Sequence, residues 1–180
     1  MMMMRGMKSL IVVALLAGVP SMAIAAQSAT TTVSARAADE TAIGAALDGV
    51  YGVISGPAGQ QRDWARMRTL FTPDARLTAI GAKGLHGGTV EDFITKNGPN
   101  LTKIGFIERE LTRRVEIYGD LAHAWSSFEG VGDGGKVNVR GINSFQLVRQ
   151  NGRWLVQSIF WQVESPTRPL PADMRAAGMK

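Results

Sequence analysis

Ile43, Leu47, Val50 and Ile54 fall three or four residues apart, a spacing that gathers apolar side chains on one face of a helix. The pattern predicts a helix over residues 39–55, capped by Asp39 or Thr41 and ended by Gly56-Pro57. A second, short helix is expected after Asp63, with Trp64, Met67, Leu70 and Phe71 on one face and Thr72-Pro73-Asp74 as its stop. Residues 75–80 suit a strand, and the glycine-rich stretch 81–88 reads as a connection. Thr89-Val90-Glu91-Asp92 has the form of a capping box opening a third helix, with Phe93 and Ile94 turned inward and Gly98-Pro99 closing it.

Beyond residue 105 the period changes from helical to two. Four runs read as strands, at about 106–118, 122–129, 137–148 and 153–163. Gly119-Asp120, the stretch 130–135 and Gln150-Asn151-Gly152 supply tight turns between them, so the strands form an antiparallel meander. Helices first and a bent sheet afterwards predict an α+β fold with the helices on one sheet face. In the third run Val137, Val139, Gly141, Asn143, Phe145 and Leu147 make up the more apolar set. In the last run both sets are apolar: Trp154, Val156 and Phe160 against Leu155, Ile159 and Trp161. A strand apolar on both faces is covered on both, by the helices on one side and a second copy of the chain on the other.

Length and composition narrow the picture. The chain has 180 residues, enough for one ordinary domain with a real core and no need of a disulfide or metal staple. With no cysteine, thiol catalysis, disulfides and thiolate metal sites are excluded. Arg5 and Lys8 precede an apolar stretch at 10–19, and Ala23-Ile24-Ala25 follows, the anatomy of a cleavable secretory signal. The apolar stretch is too short to span a membrane. The expected organisation is therefore a signal peptide at 1–25, a flexible leader at 26–38, one domain at 39–171 and a tail at 172–180, in a periplasmic or secreted protein with no stable membrane insertion after cleavage. Without Arg5 and Lys8 the chain keeps 18 basic against 15 acidic residues, scattered and not interleaved with aromatic rings, which argues against nucleic-acid binding.

The order helix, helix, strand, helix, four-strand meander resembles the nuclear transport factor 2-like superfamily, in its SnoaL-like branch of exported bacterial proteins. The strings that carry the likeness are Ile54-Ser55-Gly56-Pro57-Ala58-Gly59 running into Arg62-Asp63-Trp64, then Leu70-Phe71-Thr72-Pro73-Asp74-Ala75. They continue with 118–129, from Tyr118-Gly119-Asp120 to Phe128-Glu129, with Arg140-Gly141-Ile142-Asn143-Ser144-Phe145-Gln146-Leu147, and with Arg153-Trp154 to Trp161 followed by Glu164 and Pro166. The resemblance spans about 39–171. It implies a cone-shaped, strongly curved antiparallel sheet wrapped around three N-terminal helices, a pocket at the open end, and often a homodimer through the sheet. Members include cofactor-free isomerases and lyases as well as proteins that only bind, so the fold leaves the activity open.

Several residues are candidates for a site, each with a structural alternative. His123 is a general base if its strand face lines the pocket, and otherwise a histidine held by a neighbouring strand. Glu129 is a buried carboxylate base or an exposed strand end. Tyr51, four residues after Leu47 on the core-facing stripe, is an oxyanion donor of the kind a superfamily isomerase draws from its first helix, or a core residue with a satisfied hydroxyl. Asn143 on the apolar face is the best ligand-orienting group, whereas Arg140 on the other face finds Glu108, Glu110 or Glu116 across strands. Trp64, Trp125 and Trp161 are core residues that also suit a pocket wall. His86 and His123 lack ligand spacing, so no metal is expected, and nothing calls for a cofactor. The reading that results is a binder of a small apolar or amphipathic molecule. The alternatives are a cofactor-free lyase or isomerase using His123 or Glu129, and a non-catalytic dimeric interaction module.

Overall fold

The computed structural model describes residues 21–176, with side chains described from residue 33. Arg5, Lys8 and the apolar stretch of the expected signal lie outside the described residues. The chain divides after Ala35 into two units, and the unit from Arg36 onward carries the sheet and the core.

Helix α1 runs Ser21–Ile54 and buries Ile43, Leu47, Val50, Tyr51 and Ile54. It starts well before Asp39, and the backbone of the expected leader is helical, because residues 21–38 contain neither proline nor glycine. Asp39 is therefore not a cap. Its carboxylate accepts from Arg149 Nη1 at 2.6 Å and from Trp154 Nε1 at 3.1 Å, tying the helix to the far strands. Thr41 is not a cap either, its hydroxyl donating to the Ala37 carbonyl one turn back.

Past Ile54 the chain turns around the buried Arg62. Its guanidinium donates to the carbonyls of Ile54 at 3.0 Å, Gly56 at 2.8 Å, Gln60 at 2.6 Å and Leu101 at 2.9 Å. A fixed fork of donors thus closes the end of α1 where helix carbonyls have no partner of their own. Helix α2, Trp64–Leu70, is capped by Asp63, which accepts from Arg66 N at 2.8 Å. Helix α3, Val90–Ile104, opens with the expected capping box between Thr89 and Asp92. It does not close at Gly98-Pro99 but runs through Pro99, with Leu101 packed on the core beyond it. Burial of that last turn outweighs the one helical bond that proline deletes.

Six strands form one curved sheet in the order β2-β1-β6-β5-β4-β3. They are β1 Phe71–Gly81, β2 Gly84–Thr89, β3 Phe106–Tyr118, β4 Leu121–Gly132, β5 Val137–Gln150 and β6 Arg153–Val163. The last four make the expected antiparallel meander, while β1 pairs with β6 in parallel. β1 is longer than expected because it takes in Pro73 within the register irregularity between Phe71 and Arg76. The glycine-rich connection is also a strand, β2, paired antiparallel with β1. Its glycines permit close approach: a Cβ on Gly87 would lie 2.6 Å from the Leu77 carbonyl.

Two bulges set which side chains face the helices. Between Val156 and Ser158 one extra residue, Gln157, breaks the alternation of β6. Trp154 and Val156 consequently share the helix face with Ile159 and Trp161, while Phe160 is on the outer face and 41% exposed. The expected grouping of Phe160 with Trp154 and Val156 is thereby corrected. In β3 the extra residue is Leu111, so Phe106, Glu108 and Glu110 face inward before it and Val115 and Ile117 after it. The C-terminal segment packs on the fold, with Leu170 and Met174 buried.

Candidate functional site

A cavity of about 220 Å³ lies between the helices and the concave face of the sheet. Its walls are mostly apolar, with Phe93, Phe106, Phe128, Phe145 and Trp161 set among aliphatic side chains. Phe93 of α3 meets Trp161 of β6 edge to face, with centroids 6.4 Å apart.

The polar end is built by three elements. Tyr51 comes from the core stripe of α1, Glu108 from the inward set of β3 and Asn143 from the buried set of β5. Asn143 Nδ2 donates to Tyr51 Oη at 3.1 Å and to Glu108 Oε1 at 3.3 Å. Tyr51 Oη and Ser126 Oγ are 2.6 Å apart, and Ser126 Oγ in turn donates to Glu110 Oε1 at 2.5 Å. Ser126 has one proton and gives it to a carboxylate, so the proton between the two hydroxyls belongs to Tyr51. Glu110 pairs with Arg113 at 2.7 Å and Arg113 with Asp48 at 3.0 Å, which carries the chain of contacts to the surface. Ser55 pins the two ends together: its Oγ accepts from Glu108 N at 2.9 Å and donates to the Tyr51 carbonyl at 2.7 Å.

Burial governs the ionisation of this end. It pushes the Glu108 carboxyl up to about 7 against the opposing hydrogen bond from Asn143. Burial likewise pushes the Tyr51 hydroxyl above its ordinary value, opposed by the bonds to Ser126 and Asn143 and reinforced by Glu108 and Glu110. Tyr51 therefore stays a neutral phenol, and Glu108 exchanges its proton near neutrality. Among the described residues no group of three or more histidine or carboxylate side chains is placed to hold a metal.

Of the residues singled out in the sequence, Tyr51, Asn143 and Trp161 come together on the cavity. Trp64 does not line it. Its indole packs against α3, where a Cβ on Gly98 would sit 3.1 Å from the ring. His123, Trp125 and Glu129 lie on the outer face, because Ala122, Ala124 and Phe128 take the inward positions of β4. There His123 Nε2 is 3.2 Å from Ser144 Oγ and its ring lies 5.9 Å from that of Trp125, while Glu129 pairs with Arg109 at 2.6 Å. Strand parity removes both candidate bases from the cavity. Arg140 joins Glu164 at 2.5 Å. Sequence reasoning missed Glu108 as a cavity residue because the bulge at Leu111 hides the inward register, and the one signal was its place two residues after Phe106.

No family model and no curated protein sequence matches the chain. Solved structures do. An NTF2-like protein from Cytophaga hutchinsonii superposes with a TM-score of 0.56 at 15% identity, over 69% of this chain and 97% of that one. An NTF2-like protein from Shewanella baltica gives 0.53 at 19% identity, over 72% and 96%. The hexachlorocyclohexane dehydrochlorinase LinA-type3 from Novosphingobium barchaimii gives 0.59 at 16% identity, over 76% and 97%. At these identities the likeness is one of architecture, and with the helices, meander and concave cavity it shows that the chain has the fold of the nuclear transport factor 2-like superfamily.

Proposed function

We propose that this protein is an exported, SnoaL-like binding protein that takes a small, largely apolar molecule into the concave cavity. The observation that carries the reading is the cavity itself: aliphatic and aromatic walls with a hydrogen-bonded polar cluster of Tyr51, Asn143 and Glu108. Apolar walls supply affinity and a few convergent polar groups supply orientation, which is the usual division of labour in small-molecule sites. Export rests on the signal-like pattern of Arg5, Lys8 and Ala23-Ile24-Ala25. Homodimerisation through the sheet rests on its outer face, where Ile80 and Phe160 are exposed beside Trp125 and Ile142.

A test is a thermal-shift screen of small aromatic compounds against the wild type and Val139→Phe, a substitution that fills the cavity from its wall. Binding in the cavity predicts stabilisation of the wild type and none of the variant. Equal shifts in both, or none in either, reject it.

A second reading, a cofactor-free lyase or isomerase, is favoured by one observation. A carboxyl that exchanges its proton near neutrality faces an apolar cavity, as a general base requires. In that reading Glu108 replaces His123 and Glu129 as the base. Turnover of any cavity ligand that disappears in Glu108→Gln while binding persists distinguishes it from the first.

A further inference from the structure

Resting on the cavity reading above, we infer that the ligand is a small arylalkyl or alkyl amine, its ammonium group seated on the Glu108 carboxylate and its apolar body among Phe93, Phe106 and Trp161.

The donors at the polar end are already spent. Asn143 gives one hydrogen to Tyr51 and one to Glu108, and Tyr51 gives its only hydrogen to Ser126. What remains open is acceptor capacity on Glu108, whose one hydrogen-bond partner through the side chain among the described residues is Asn143. While Glu108 is ionised, a ligand carboxylate, phosphate or carbonyl meets no open donor in the Tyr51–Asn143–Glu108 cluster. An ammonium group brings the donors that this cluster lacks when Glu108 is ionised.

Charge points the same way. Among the described residues no lysine, arginine or histidine lines the cavity, and Glu108 is the one carboxylate that does. The charges around it are committed elsewhere. On β3, Glu110 is held by Ser126 and Arg113, Arg113 is shared with Asp48 of α1, and Arg109 turns to Glu129 on the outer face. The buried Arg62 spends its guanidinium on backbone carbonyls. From β5 and α1 the groups facing Glu108 are Asn143 and the phenol of Tyr51. An entering cation thus neutralises a carboxylate that burial alone leaves reluctant to ionise.

The walls fit a cation as well. Aromatic faces attract an ammonium group through their quadrupoles, and that attraction grows when water is excluded. A cavity of roughly 150 Å³ holds a benzene, so about 220 Å³ accommodates a ring with a short side chain.

The experiment is calorimetric titration with 2-phenylethylamine and its neutral isostere 2-phenylethanol, on the wild type, Glu108→Gln and Val139→Phe, at pH 8 and pH 5.5. At pH 8 the amine is expected to bind the wild type at least about tenfold tighter than the alcohol. Glu108→Gln removes that preference while the alcohol still binds, which also shows that the variant is folded. At pH 5.5, where Glu108 holds its proton, the preference shrinks. An alcohol that binds as well as the amine, or a preference unchanged in Glu108→Gln, overturns the amine assignment and leaves the cavity reading standing. If neither probe binds, or both bind Val139→Phe as well as the wild type, the cavity reading falls and the amine assignment with it.

Discussion

Tyr51 and Ser126, 75 residues apart in the chain, bring their hydroxyl oxygens within 2.6 Å of each other in the buried core. The contact joins α1 to β4 and fixes the direction of every proton between the cavity and Glu110. Ser126 donates outward to Glu110, Tyr51 donates to Ser126, and Asn143 donates to Tyr51. Such a chain is cooperative, each bond polarising the next in a low-dielectric interior.

Once that contact is broken from one side, removing the second partner should cost less than it does alone. Ser126→Ala leaves the Tyr51 hydroxyl and one Glu110 oxygen without their partner, a loss of about 1–3 kcal/mol. Tyr51→Phe in the same background should add less than it does alone. Denaturant unfolding of the two single variants and the double variant measures the coupling, and strict additivity contradicts the relay.

Glu108 should give the protein a stability that declines as pH rises. Its carboxyl titrates at about 7 in the folded protein and near the ordinary value of 4.5 when unfolded. The folded state therefore holds the proton more tightly. The contribution is fully present below about pH 4.5, is lost progressively as pH rises to about 7, and is flat above that. It amounts to something on the order of 3 kcal/mol. Glu108→Gln removes this slope, so at pH 8 the variant should be the more stable protein and the gap should close toward pH 4.5. Urea midpoints for both proteins across that range provide the check.

Arg62 should be among the most sensitive positions. Replacing it with methionine keeps the packing of the stem but strips donors from the carbonyls of Ile54, Gly56, Gln60 and Leu101. A loss of about 2–4 kcal/mol is expected, and Arg62→Lys should recover only part of it, because a single ammonium does not span four carbonyls. Thermal and urea unfolding of both variants decide the matter; a lysine variant as stable as wild type contradicts the fork.

The outer face offers a separate test. Phe160→Lys places a charge at a position 41% exposed in one chain, so a monomer should tolerate it within about 0.5 kcal/mol. If two copies meet through this face, the substitution should instead shift sedimentation from dimer toward monomer. Unchanged sedimentation of a dimeric wild type places the interface elsewhere.

Local patterns carried the architecture. The apolar stripe from Ile43 to Ile54, the Asp63 cap, the Thr89–Asp92 box and the turns of the meander are interactions between residues close in sequence, and each appears in the structure. Tyr51 and Asn143 were also readable, because each sits in phase with an apolar set of its own element.

The third member of the cluster was not. Glu108 faces the cavity through the register of β3, which is broken at Leu111, and His123 and Glu129 face away from it through the alternation of β4. A one-residue bulge reverses the face of every side chain beyond it without altering local composition. Sequence alone placed the central turns of the three helices and the four strands of the meander, since capping, turn formation and periodicity act over a few residues, but it did not show β2 or the full length of α1, α3 and β1. Tertiary structure decided which polar groups share the cavity, since register and burial arise only when distant strands pair.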